Sequence, residues 1–402
     1  MLYNYHYRNE ELQKNLLLIG VIFLVNPLCG IILSAIFVAN RKNYDLLYFL
    51  IVLLILYLGA INTTKVPEND MLDYLGQFNN VPRSGFWKNL SFLYNGVYIK
   101  DPGYGVLVYV LHYLTFGNQK LFIFIITALT YGFTMIALLR VGKEYKLPIY
   151  IVVSEILFIA FFSQFFNLSM QLVRQQLATS VFMFALSVKI KSFKTYIISY
   201  AAALSIHSSM TMPILLSLIP YLQKKMSFKK IVISSLIASS FFILMTTIAS
   251  NLVGASFLGK GELAVNMTRL SAAEGTRDTS DDMSKIFTTF IPLILMAISL
   301  REMWRKEVVS PYITNMCFMW SVIILSLHFS PFLQYRYFFM LYSFLPFVVF
   351  LLFRQYMSWG KPICSIIVAI NIIRYFYTLN STFQFISTDE AIMMPYFYLI
   401  QL

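Results

Sequence analysis

Charge is what this chain has least of. Asp, Glu, Lys and Arg make up 12% of its 402 residues, hydrophobic residues make up 58%, and mean hydropathy is +0.70. A soluble domain of this length cannot cover its core with so little polar surface, which excludes an ordinary globular enzyme. Cysteine is scarce too, with three residues. Cys29, Cys317 and Cys364 stand alone inside apolar runs, so neither a disulfide framework nor a thiolate metal cluster is expected. No group of His, Asp and Glu has metal-ligand spacing, and no D-x-D sugar-nucleotide motif occurs, so no metal or other cofactor is expected. No cleavable leader is expected either. The first 15 residues are polar, and the apolar run 16–39 is long and ends at Arg41-Lys42, so it is expected to stay as a span. No internal repeat and no second domain are visible. The stretch G-A-S-F-L-G-K-G at 254–261 imitates a phosphate loop but has Gly261 where Ser or Thr would bind magnesium. Chance sequons such as Asn266-Met267-Thr268 carry no argument.

What the chain does have is apolar runs. They fall near 16–39, 44–61, 102–117, 119–140, 148–167, 168–188, 195–221, 231–250, 286–300, 312–330, 337–353 and 362–379. The expected fold is an all-α polytopic membrane protein of about 10–12 transmembrane helices plus re-entrant or interfacial ones, forming one integral membrane domain over 1–402. Between the runs lie six basic clusters: Arg41-Lys42, Arg140/Lys143/Lys146, Lys189/Lys191/Lys194, Lys224/Lys225/Lys229/Lys230, Arg301/Arg305/Lys306 and Arg354/Lys361. They hold 17 of the 31 basic residues, with only Asp45, Glu144, Glu302 and Glu307 beside them. If all six face the cytoplasm, that side carries the whole formal charge of +13. The basic excess is then topological, and a nucleic-acid partner is excluded.

Placing all six clusters inside leaves two runs that cannot be simple crossings. The run 102–117 is expected to be a re-entrant or interfacial helix on the outer face. The run 195–221 is expected to bend back around His207-Ser208-Ser209. Irregular backbone at membrane depth is tolerated only where it is buried in protein or lines a cavity, so both point to one outward-facing cavity. Two long outer loops follow, at about 62–101 and 252–285, and the N-terminus is also expected outside. A short interfacial helix is expected at 391–402.

The stretch 168–186 reads as one membrane helix carrying Gln171, Arg174 and Gln175, which share a face with Ala178. An arginine at membrane depth costs a few kcal/mol on insertion scales, about 2.5–3.5. It either snorkels to the headgroups or faces a cavity and holds an anion. Arg336, in Q-Y-R-Y after Pro331, lies at another outer helix end. Two arginines on one side suit a diphosphate, since guanidinium forks bind phosphate oxygens in pairs. His207, with Ser208, sits at the expected break and is a candidate general base or phosphate donor; a packing histidine is the plainer alternative. Asp70, Asp73 and Tyr74 open the first outer loop. Asp101-Pro102-Gly103-Tyr104 opens the re-entrant segment, where the aspartate is either a helix cap or, beside Tyr74 and Tyr104, a binder of sugar hydroxyls. Glu155 is expected to be buried in a span, with a partner or a cavity left open.

In order along the chain, Asp70…Tyr74, Asp101-Pro102-Gly103-Tyr104, Arg174-Gln175 with Ala178, Ile206-His207-Ser208-Ser209 and Arg336-Tyr337 resemble the EpsG-like polysaccharide polymerases, a branch of the Wzy-type O-antigen and capsule polymerases. The resemblance covers nearly the full length. The chain departs from it in Asp101, where glutamate is common, and in Met210 after His-Ser-Ser. What the resemblance implies is an enzyme of the bacterial inner membrane with its active site toward the periplasm. It would transfer a glycan from undecaprenyl diphosphate to the non-reducing end of a second lipid-linked repeat unit. The mechanism would be inverting and metal-independent, on a GT-C-like helical scaffold, with a chain-length regulator as a protein partner. Arg174 and Arg336 would then neutralise the departing diphosphate, with Gln175 orienting it and Gln171 also binding substrate. Either His207 takes the acceptor proton, or it holds phosphate while Asp70 or Asp73 is the base. Removing Arg174 or His207 should leave folding intact and stop chains at one repeat unit. A lipid-linked oligosaccharide flippase, an O-antigen ligase and a membrane acyltransferase remain as other readings.

Overall fold

In a computed structural model of the protein, the described residues are 2–67, 70–90, 92–94, 97–99, 101–188, 193–219, 226–252, 294, 311–327, 331–351, 357–381 and 386–400. Nearly all of the second outer loop lies outside them, with its phosphate-loop imitation and its sequon.

The first apolar run does not cross as one span. Proline inside a helix removes one backbone hydrogen bond and kinks or breaks it, and here Pro27 opens a new one. Asn26 caps it by accepting the Cys29 N–H at 2.9 Å, so α1 (Leu2–Val25) gives way to α2 (Pro27–Arg41). The two run back along each other. Glu11 meets Arg41 in an ion pair at 3.2 Å, and a side chain at Gly30 would strike the Phe23 backbone at 2.5 Å. Each limb from this pair to the turn is about 21 Å long. The expected single span at 16–39 is therefore a helical hairpin. It also puts Glu11 at the Arg41 end of the bundle, against the expectation that the N-terminus lies at the opposite end.

After a short turn, α3 (Leu47–Thr63) leads to α4 (Asp70–Asn89), which is interrupted at Gly85, where φ is 69°. The strands β1 (Phe92–Tyr94) and β2 (Val97–Ile99) pair antiparallel, Phe92 opposite Ile99. Then come α5 (Pro102–Leu114) and α6 (Gln119–Glu144), the latter capped by Asn118 through the Lys120 and Leu121 N–H groups. Next are α7 (Ile149–Ala160), α8 (Ser163–Gln171), α9 (Val173–Val188), α10 (Phe193–Ile206) and α11 (Thr211–Ser217). Among the described residues the helices that follow are α12 (Phe228–Leu252), α13 (Pro311–Ser326), α14 (Pro331–Leu351), α15 (Met357–Ser381), α16 (Thr388–Met393) and α17 (Tyr396–Leu399).

Among the described residues, Tyr44–Thr63, Gln119–Glu144 and Trp359–Leu379 are each long and apolar enough to cross a membrane. The pair α7 and α8, bent by 49°, is a fourth if it counts as one span. The protein is an all-α polytopic membrane protein, with one small β-hairpin among the described residues. Helix α5 is about 20 Å long, short of a hydrocarbon core of about 30 Å.

The centre of the bundle is α6, packed on α3 and α9, with α10 against α9. Hydroxyl and amide groups join these helices where apolar contact alone has no lipid-excluding drive. Asn62 at the end of α3 donates to Thr127 of α6 at 3.1 Å and to Ser169 of α8 at 3.2 Å, and Thr134 meets Ser180 across α6 and α9 at 2.9 Å. The tail does form short helices, and they tuck in rather than lying free. Tyr57 donates to the Ala391 carbonyl and Asn26 to the Ile392 carbonyl, both at 3.0 Å.

Candidate functional site

The helix expected over 168–186 is broken. Leu172, at φ −117° and ψ 53°, ends α8, and Val173 starts α9. The break separates Gln171 from Arg174, so the four-residue stripe is not one helical face. It also places Arg174 in the first turn of α9. A helix start presents unpaired N–H groups and the positive end of its dipole, so the guanidinium adds its charge where the backbone is already positive.

Arg174 does not snorkel. Its side chain is 6% exposed and forms an ion pair with Asp101, whose side chain is 1% exposed. The guanidinium also lies over the Tyr74 ring, 5.7 Å from its centroid, and Tyr74 meets Tyr104 edge-on at 5.7 Å. Four residues from three separate stretches thus converge: Tyr74 from α4, Asp101 and Tyr104 at the start of α5, and Arg174 from α9. The Asp101 side chain caps nothing, although Pro102 follows it at the first helical position. Its carboxylate is used on Arg174 instead. The pairing offsets a burial that would otherwise cost several kcal/mol for each charge.

The second group forms around His207. The run 195–221 folds back as expected: Tyr200 of α10 is hydrogen-bonded to Ser217 of α11. Straight helix between those two residues would hold them about 25 Å apart. At the turn, His207 is buried, and its Nδ1 accepts the Ser209 N–H at 3.1 Å, capping the short helix Ser208–Met210. Ser208 is exposed beside it. Gly103 joins the two groups. A Cβ there would lie 2.1 Å from the Ser205 hydroxyl and 2.9 Å from the Ser205 backbone, so only glycine lets α5 seat against the end of α10. Asp101 and His207 thus flank one close contact, each two positions along its chain from it. The turn after His207 also packs on α9.

Asp70 and Asp73 occupy the first turn of α4, just before Tyr74, which packs on Arg174. Asp70 is half-buried and Asp73 exposed. Although the residue as a whole is exposed, desolvation of its carboxyl by neighbouring atoms, and then the Asp70 carboxylate, raise the Asp73 carboxyl above its ordinary value, while the Arg174 charge pulls the other way. Gln175 is buried beside Arg174, and Gln171, half-buried across the break, accepts from Asn167 at 3.3 Å. Arg336 lies in α14, with its side chain outside the described residues. Lys65, buried just past α3, went unread in the sequence. The available signal was a basic residue on a loop that the positive-inside rule leaves bare. Among the described residues no group of three His, Cys, Asp or Glu could hold a metal ion.

The fold and the site together define a polytopic helical membrane protein with a buried, counter-charged arginine at a helix break. The chain belongs to the EpsG family, whose model matches residues 46–397. It is thus a membrane protein of polysaccharide biosynthesis. Neither the curated proteins nor the solved structures contain a match to it.

Proposed function

We propose that the protein is a polysaccharide polymerase of the bacterial inner membrane, working on its periplasmic side. It transfers a glycan from undecaprenyl diphosphate to the non-reducing end of a lipid-linked repeat unit, without a metal. The observation that carries this reading is the buried Arg174 at the start of α9. A fixed cation at a positive helix end suits a leaving group that gains negative charge in the transition state. The family supports polysaccharide chemistry, and the arginine supplies the charge that a diphosphate donor requires. Asp101 holds that charge at rest, and the donor's diphosphate takes its place when bound. Gln171, Gln175 and Arg336 are proposed to orient the diphosphate, and Tyr74, Tyr104 and Ser208 to border the sugars.

The direct test is incubation of the purified protein with lipid-linked repeat units and separation of the products by size. The expected result is a ladder for the wild type and single units for Arg174→Ala. Unchanged single units from the wild type, with movement of the substrate across vesicle membranes, would instead identify a flippase. Transfer to a lipid A core acceptor would identify a ligase.

A further inference from the structure

Buried and turn-forming, His207 is the residue whose chemistry the fold restricts most. A neutral imidazole has one donor nitrogen and one acceptor nitrogen. Here Nδ1 is the acceptor, because it receives the Ser209 N–H at 3.1 Å. The proton therefore sits on Nε2. The bond is part of the turn: His207 is in extended backbone, at φ −154° and ψ 125°, and caps the short helix that reverses the chain. To accept a proton at Nδ1 it would have to give up that cap, and Nε2 already carries one. Histidine in this setting donates.

The carboxylates sort in the same way. Asp101 is committed to Arg174 and almost fully buried. Asp70 is half-buried, and so less open to an acceptor hydroxyl. Asp73 is exposed, one residue before the tyrosine whose ring covers Arg174. It lies within electrostatic reach of Arg174 and next to a like charge, Asp70, which favours proton uptake.

We infer that Asp73 is the general base of the proposed transfer, and that His207 acts as a hydrogen-bond donor to the departing diphosphate. The inference rests on the polymerase reading. In the step, the acceptor hydroxyl oxygen forms a bond to the anomeric carbon, and its proton passes to the Asp73 carboxylate. The bond from the anomeric carbon to the diphosphate oxygen breaks, and its electron pair leaves with the diphosphate. Arg174 and the Nε2–H of His207 receive that charge.

Substitutions that keep donation but remove basicity separate the roles. The amide introduced by His207→Gln can donate near the Nε2 position and cannot act as a base. With full-length protein in lipid nanodiscs and lipid-linked repeat units, His207→Gln should keep kcat within about 10-fold of wild type. His207→Ala should lose about 10²–10³-fold, the usual loss of one transition-state donor. Asp73→Asn should lose about 10²–10⁴-fold in kcat with donor KM nearly unchanged, and Asp73→Glu should recover part of it. Thermal midpoints checked alongside should stay at wild type for the exposed Asp73 variants and fall by the same amount for His207→Gln and His207→Ala, which both lose the Nδ1 cap, so that the rate difference between those two reports donation alone. A wild-type ladder with Asp73→Asn still near full rate, or with His207→Gln as inactive as His207→Ala, overturns the inference alone. A wild-type chain that builds no ladder overturns the polymerase reading and the inference with it.

Discussion

Arg174 and Glu155 are both buried in the doubly broken stretch α7–α9, and they are treated in opposite ways. Arg174 has a carboxylate, an aromatic face and a helix start around it. Glu155, in the middle of α7, is fully buried, and neither of its oxygens has a hydrogen-bond partner among the described residues. Breaking the helix next to Arg174 frees backbone groups and lets two other stretches of chain reach the charge. Glu155 lies within the regular turns of α7, ahead of the first break, where packed side chains surround it. The fold brings partners to the ionisable group at the break and none, among the described residues, to the one inside regular helix.

The largest expected effect comes from breaking the Arg174 pairing. Arg174→Ala should stop products at one repeat unit. It should also lower stability by about 3–5 kcal/mol, because Asp101 is left buried without its counter-charge. Folding, expected from sequence to be untouched, should therefore suffer as well. Replacing both partners with Arg174→Met and Asp101→Leu should bring the thermal midpoint most of the way back without restoring chain growth. Recovery of activity in the double variant would break the link between the ion pair and function. Next in size is Gly103→Ala, expected to cost about 1–3 kcal/mol through overpacking against Ser205. It should reduce polymer yield by moving Asp101 relative to His207, as product sizing would report.

A smaller effect concerns pH. Asp73 must be ionised to accept a proton, and its carboxyl is raised above its ordinary value by desolvation and Asp70, against the pull of Arg174. Tyr74, Tyr104 and the ion-paired Asp101 are the other ionisable groups facing Arg174 from α4 and α5. The rate should therefore fall as pH drops through a value above the ordinary aspartate pKa. Asp70→Asn should shift that limb to lower pH, which a kcat/KM profile measures. The smallest effect belongs to Glu155→Gln, expected to change stability by less than about 1 kcal/mol and to leave chain growth intact, since no hydrogen bond is lost among the described residues. A large loss there would show that Glu155 has a use after all.

Much of the site was legible as residue types and little of it as contacts. Arg174, His207 and Asp101 stood out because charge and imidazole are conspicuous in a chain with 12% charged residues. That Asp101 pairs with Arg174 was not legible. They are 73 positions apart, and a proline after the aspartate offered a sufficient local explanation as a helix cap. The fold-back at His207 could be read from the lysines on both sides of an apolar run. The hairpin at Asn26–Pro27 could not be read the same way, because a proline inside an apolar run is also compatible with a kinked span. Lys65 gives little signal in the sequence because it stands alone, apart from the six basic clusters.

By itself the sequence determined the class: apolar runs too numerous and too long for water require helices in a membrane, because every backbone group must be paired within its own segment. It also determined which side chains are chemically unusual. Only the tertiary structure decided where the helices break, since local backbone turns compete with packing that distant segments supply. It alone decided that a cation in α9 is held by a carboxylate and a ring from α5 and α4, because a charge can stay buried only where such partners arrive together.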